Sequence, residues 1–257
     1  MDNRPIGVYD SGFGGLSVWR ELYRALPDES LIYLGDGKNC PYGSLPEERI
    51  RELAVQSVEE LLRHDCKLIV VACNTATAAA INHLRERFAQ LPIVGLEPAV
   101  KPACLKSKRK RVAVVATERS LASEKLRVAL ERYGEGVEVI KAVGRGFVEA
   151  VEADAEESSE TLERVRAVIE PLLESGVDVI VLGCTHYPFL KGAIRQVVGE
   201  RDVMIIDSGE AVSKRVESLL EHYGIKAAED NEPRYEFLSF ADAEYCERLR
   251  RKAFNEK

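Results

Sequence analysis

Two cysteines, Cys73 and Cys184, each end a short apolar run and are each followed by two polar residues: LIVVAC then Asn74-Thr75, and VIVLGC then Thr185-His186. A thiol carries one proton, and its pKa lies near working pH and shifts readily. Two thiols on opposite sides of a ligand could take a proton from one face of a carbon and deliver another to the opposite face. That inverts a stereocentre without a second substrate, one thiol starting as thiolate and the other as thiol. A single strand-end cysteine is more often a small buried hydrophobe. The chemistry therefore rests on the pair.

The pair is embedded in a repeat. Val58–Thr75 reads VEELLRHDCKLIVVACNT and Ile169–His186 reads IEPLLESGVDVIVLGCTH. Without gaps they share Glu59/Glu170, Leu61/Leu172, Leu62/Leu173, Ile69/Ile180, Val70/Val181 and Cys73/Cys184. Each copy reads as helix, turn, buried strand, cysteine. Helix–strand units resemble one another in any such fold, but that does not account for a shared cysteine at the strand end. Helices are expected directly after both cysteines, where exposed N–H groups lower a thiol's pKa.

Other polar groups stand at expected strand ends. Asp10-Ser11-Gly12-Phe13-Gly14-Gly15 is a glycine-rich turn between strand and helix. It could hold a carboxylate or phosphate on its N–H groups, or be a tight turn needing positive φ. It matches neither GxGxxG nor the P-loop pattern. Asn74, Thr75 and Thr185 offer neutral donors and acceptors, or act as helix caps. Asp10 and His186 could assist proton movement. Glu152, in an expected helical segment Phe147–Ala155, reads on spacing alone as part of a solvated face.

These groups need a scaffold. Short Val/Ile/Leu-rich runs are expected as strands at Ile6–Tyr9, Leu31–Gly35, Leu68–Ala72, Ile93–Leu96, Val112–Ala116, Val137–Lys141, Val179–Gly183, Met204–Asp207 and Tyr235–Ser239. Helical patterns lie between them, among them Pro46–Asp65, Thr75–Ala89, Ser120–Tyr133, Leu162–Ser175 and Gly209–His222. Strands this continuously apolar are covered on both faces. The alternation predicts an α/β architecture with parallel sheets, in which ligands bind beyond the carboxyl ends of strands. A boundary is expected in Glu97–Lys110, with the basic run Lys106–Arg111 as a solvated hinge or loop. The expected domains are residues 1–97 with 208–257, and 98–207.

Composition narrows the function classes. The 257 residues are 46% hydrophobic, with a net charge of −7. A large core can form, and nothing in the balance favours nucleic acid or an anionic membrane. The N-terminus has no signal-peptide pattern and the apolar runs are too short for a bilayer, so the expectation is a cytosolic protein. In that compartment six cysteines without a Cys-x-x-Cys are expected as free thiols. The four histidines lack metal-ligand spacing, so no metal is expected.

At Ile6–Val18, at Gly35-Asp36 with Pro41-Tyr42-Gly43, at Ala72–Ala76 and at Val181–Pro188, the chain resembles the glutamate racemases of the aspartate/glutamate racemase superfamily. The resemblance runs over nearly the whole chain. It implies two pseudo-symmetric flavodoxin-like domains with the active site between them. It also implies cofactor-independent interconversion of L- and D-glutamate, supplying D-glutamate for peptidoglycan. On that pattern Cys73 acts on the D-enantiomer and Cys184 on the L-enantiomer. Substrate contacts fall to Asp10, Ser11, Tyr42, Gly43, Asn74, Thr75, Thr117, Thr185 and His186, and proton-assisting roles to Asp10, Glu152 and His186. The partner is the small-molecule substrate, and a homodimer stays open. The chain departs from the pattern at Gly37-Lys38-Asn39-Cys40, at Glu118-Arg119-Ser120, where a second threonine is missing and its contact is either lost or passes to Ser120, and at Gly144-Arg145-Gly146-Phe147. The alternatives are the same chemistry on aspartate, another superfamily reaction such as decarboxylation, or a flavin- or nucleotide-binding regulatory module.

Overall fold

The computed structural model describes residues 1–256. Its strands are β1 (Ile6–Asp10), β2 (Leu31–Gly35), β3 (Leu68–Val71), β4 (Ile93–Gly95), β5 (Arg111–Ala116), β6 (Glu138–Val143), β7 (Val179–Leu182), β8 (Met204–Ile206) and β9 (Tyr235–Ser239). The helices are α1 (Leu16–Ala25), α2 (Glu47–Arg63), α3 (Asn74–Arg87), α4 (Val100–Lys106), α5 (Glu118–Leu121), α6 (Glu124–Tyr133), α7 (Phe147–Glu152), α8 (Ser159–Glu174), α9 (Lys191–Val198), α10 (Gly209–Tyr223) and α11 (Ala243–Phe254). No helix among the described residues is long and apolar enough to cross a membrane.

The chain divides into two compact units. One is Met1–Leu96 with the C-terminal residues from Gly209, and the other is Glu97–Ser208. The first unit holds an all-parallel sheet in the order β4-β3-β1-β2-β9. The second holds an all-parallel sheet in the order β6-β5-β7-β8. Taking each unit's first four strands in turn, both sheets have the doubly wound order 2-1-3-4, the flavodoxin-like arrangement. In the first unit β9 extends the β2 edge. Every residue of β1, β2, β3 and β7 is buried, because helices cover both faces of parallel sheets. Each such Val, Ile or Leu contributes roughly 1.5–3 kcal/mol by leaving water.

The sequence repeat is a structural repeat. α2 and α8 end in the same way. After α2, Asp65 N–H donates to Leu62 O (3.0 Å) and Cys66 N–H to Leu61 O (3.3 Å). After α8, Gly176 N–H donates to Leu173 O (3.0 Å) and Val177 N–H to Leu172 O (3.4 Å). This is the left-handed helix cap with its 6→1 bond. Asp65 (φ 58°) and Gly176 (φ 86°) take the left-handed conformation that it demands. Two helices therefore end in the same cap before two buried strands, β3 and β7. Cys73 and Cys184 emerge at corresponding ends, only 5% and 7% exposed.

The boundary stretch Glu97–Lys110 carries a helix, α4. Val100, Ala103 and Cys104 are buried there, and Pro102 lies in the first turn, where its missing N–H has no helical partner to lose. Three local expectations change. The expected Ser120–Tyr133 helix is broken into α5 and α6. Ser123 Oγ accepts from Leu126 N–H at 3.3 Å and restarts the helix as an N-cap. The glycine turn uses no positive φ, because the glycines with positive φ lie elsewhere. Gly15 has φ −61°; a Cβ there would lie 2.6 Å from Asp10 Cβ and 3.0 Å from Ala72 Cβ, so close approach demands the glycine. Finally, no α-helix starts directly after Cys184. Tyr187–Leu190 forms a 3₁₀ turn before α9, because Pro188 has no N–H to donate to Cys184 O.

Candidate functional site

In a doubly wound sheet the ligand crevice opens outside the carboxyl ends of the strands where their order reverses. In the first unit those strands are β1 and β3, which end in Asp10-Ser11 and run into Cys73-Asn74-Thr75. In the second they are β5 and β7, which run into Thr117 and into Cys184-Thr185-His186. Asp10, Ser11, Cys73, Asn74 and Thr75 thus gather at the switch point of the first sheet and Thr117, Cys184, Thr185 and His186 at that of the second, whereas Tyr42-Gly43 follow β2 and Glu152 ends α7.

Cys73 is the N-cap of α3, where its Sγ accepts from Ala76 N–H at 3.4 Å. Ser11 Oγ lies 3.5 Å from the same sulfur and 3.2 Å from Asp10 Oδ1. Asp10 is fully buried. Its Oδ1 accepts from Ser11 N–H at 2.6 Å and its Oδ2 accepts from Gly15 N–H. Two N–H groups of the glycine-rich turn therefore serve a carboxylate of the chain itself. Those two N–H groups are already engaged within the turn. The arrangement puts a thiol, a hydroxyl and a carboxylate in line at the end of β1.

Behind Cys73 runs a buried chain that sequence reasoning missed. Asp36 Oδ2 accepts from Tyr42 OH at 2.6 Å, and Tyr42 OH lies 3.0 Å from Tyr9 OH. Asn39 Nδ2 donates to both Asp36 oxygens at 3.0 Å. Burial, followed by the neighbouring Cys73, holds the Tyr9 phenol well above its ordinary pKa. Burial and then Tyr9 do the same for Tyr42. Both phenols stay protonated. Tyr42 is 1% exposed with its hydroxyl committed to Asp36, so its backbone, beside exposed Gly43, is the part left to meet a ligand. Asn74 is half-buried and Thr75 buried, both in the first turn of α3.

Cys184 has different company. His186 Nδ1 lies 3.8 Å from Cys184 Sγ, and His186 Nε2 lies 2.5 Å from Glu152 Oε1. Glu152 is the last residue of α7 and its side chain is only 19% exposed. It does not lie on a solvated face. Thiol, imidazole and carboxylate thus stand in series, each within hydrogen-bonding reach of the next. Tyr187 OH donates to Gly144 O at 3.1 Å, and burial followed by Cys184 pushes its pKa well up. Thr185 is buried. Thr117 caps α5, accepting from Ser120 N–H at 3.2 Å and donating to Ser120 Oγ at 2.9 Å, so the two hydroxyls sit together.

Three thiols lie outside these clusters. Burial pushes Cys66 up to about 12, with Asp65 and Glu236 adding to it. Burial also raises Cys104 and Cys246. A raised thiol pKa leaves less of the reactive thiolate at neutral pH.

Known proteins share this architecture. The family profile described as Asp/Glu/Hydantoin racemase matches residues 14–216. A glutamate racemase of Ectopseudomonas mendocina is 47% identical over 225 residues, covering 88% of this chain and 85% of its relative. The structure of glutamate racemase isoform RacE1 from Bacillus anthracis superposes with a TM-score of 0.88 at 33% identity, covering 99% of this chain and 95% of that one. A Francisella tularensis glutamate racemase in complex with D-glutamate gives a TM-score of 0.84 at 28% identity, with 99% and 95% coverage. The chain belongs to the Asp/Glu/Hydantoin racemase family.

Proposed function

We propose that the protein interconverts L- and D-glutamate by proton exchange between the α-carbon and two thiols, one on each face, without a cofactor. The observation that carries this reading is the equivalence of Cys73 and Cys184. Each ends a repeated helix–cap–strand unit at the switch point of its own sheet. Relatives named as glutamate racemases, one of them with D-glutamate bound, support the choice of substrate.

In this reading Cys73 as thiolate removes the α-proton of D-glutamate while Cys184 as thiol protonates the opposite face. For L-glutamate the roles reverse. Neither thiol can serve both faces, so the reaction requires both to reach the α-carbon, one from each side. Ser11 and Asp10 assist Cys73, and His186 with Glu152 assists Cys184. Substrate polar groups are held by Asp10, Ser11, the Tyr42-Gly43 backbone, Asn74, Thr75, Thr117, Thr185 and His186, with Ser120 beside Thr117. The reaction is placed in the cytosol, where thiols stay reduced, with D-glutamate passing to peptidoglycan synthesis.

The test is to follow each enantiomer by circular dichroism. Racemisation of both, abolished or severely reduced by Cys73→Ser and by Cys184→Ser, is the expected result. Full activity in either variant would exclude the two-thiol mechanism. Faster turnover of aspartate in a substrate panel would move the reading to that amino acid.

A further inference from the structure

We infer that Tyr245, on the C-terminal helix α11, is a positioning residue that holds the two loops at the carboxyl ends of β1 and β2 in register with each other. Its ring stacks on buried Phe13, in the middle of the Asp10–Gly15 turn, at 4.7 Å between centroids and 9° between planes. The same ring occupies the space beside Gly37. A Cβ built on Gly37 would fall 2.6 Å from Tyr245 Cε1 and closer still to Cζ. One side chain thus touches the turn that carries Asp10 and Ser11 and also the start of the loop that carries Asn39 and Tyr42.

The surroundings hold that ring in place. Tyr245 N–H donates to Asp242 Oδ1 at 2.8 Å, which caps α11. Ser239 Oγ donates to Gly35 O at 2.6 Å, tying the strand before α11 to the end of β2. A Cβ on Gly35 would lie 3.1 Å from Leu249 Cδ1, one turn further along the helix. Arg248 places its guanidinium 4.8 Å from the Phe13 ring centroid. The two loops are joined to each other directly as well, Asp36 N–H donating to Asp10 O at 2.9 Å. Loops at strand ends are otherwise the mobile part of such a sheet. Here an aromatic stack and a side chain fitted to a glycine restrain them, and a displacement of about 1 Å in such groups can cost on the order of a hundred-fold in rate.

The inference deepens the racemase reading and rests on it for its kinetic consequence, but the restraint itself is measured independently. Amide hydrogen exchange in Tyr245→Ala should rise in residues 10–15 and 36–43, and not in α11 alone. At a temperature where the variant is folded by circular dichroism, kcat/KM for either enantiomer should fall by roughly ten- to a hundred-fold. Tyr245→Phe, which keeps the ring, should stay within about two-fold of the parent. Gly37→Ala should reproduce the loss, and its effect should shrink in the Tyr245→Ala background, since the clash has gone. If Tyr245→Ala does not fold, Gly37→Ala and Tyr245→Leu carry the same comparison. Unchanged exchange in both loops, or additive effects of Gly37→Ala and Tyr245→Ala, would overturn the inference. A parent protein that leaves glutamate unracemised would sink the racemase reading, while the exchange data would still decide the clamp.

Discussion

His186 Nε2 lies 2.5 Å from the Glu152 carboxylate, although the two residues are 34 positions apart in sequence. The other ring nitrogen faces Cys184 at 3.8 Å. Cys73 instead faces a serine hydroxyl backed by Asp10. The two thiols therefore end corresponding strands with unlike neighbours, and this asymmetry can be tested.

Glu152→Gln should lower kcat by about ten- to a hundred-fold, because a neutral amide no longer stabilises the imidazolium. The two enantiomers have equal free energy, so kcat/KM must fall equally in both directions. Isotope effects separate the faces. The slowed step is the one at Cys184, so the α-deuterium effect on kcat/KM should grow with L-glutamate and shrink with D-glutamate. An unchanged pair of isotope effects would remove Glu152 from the proton path.

Ser11→Ala should give the mirror image. It removes the hydroxyl 3.5 Å from Cys73 Sγ, so the isotope effect should grow with D-glutamate and shrink with L-glutamate. Movement in the same direction as for Glu152→Gln would show that the two assistants do not serve separate faces.

Asp178 governs acid stability rather than chemistry. Burial alone would raise its pKa, but the Ser107 hydroxyl at 2.6 Å and the backbone N–H of Arg109 at 2.7 Å outweigh it and hold the carboxyl below 3.8. A depressed folded value means that the contribution is complete above the unfolded pKa of about 4 and is lost as pH falls through the folded value. Asp178→Asn should cost about 1–3 kcal/mol at pH 7. Urea titrations from pH 7 to pH 2 should show the gap between parent and variant closing below about pH 4. A gap constant with pH would mean that the carboxylate charge plays no part.

Much of this was legible in sequence, for identifiable reasons. The strands announce themselves because parallel sheets bury both faces, leaving runs such as LIVV and VIVL. The cysteine pair was visible because the repeat carries its helix, cap and strand together. Contacts at long sequence separation were not visible. On spacing alone Glu152 read as a surface residue, and only the resemblance pointed to it; α7 ends with its carboxylate against His186. The Asp36–Tyr42–Tyr9 chain and the seat of Tyr245 on Gly37 leave no periodic trace. The helix expected after Cys184 failed on one residue, Pro188, whose missing N–H could have been read as a stop signal.

The central claim is that two different groups handle the proton on the two faces. The most direct measurement is racemisation of protiated L-glutamate in D2O, stopped at low conversion, with deuterium measured separately in each enantiomer. If two thiols act, D-glutamate is fully deuterated at the α-carbon and recovered L-glutamate is still protiated, with the converse from D-glutamate. D-Glutamate that keeps the original proton would show one group acting on both faces and would contradict that claim.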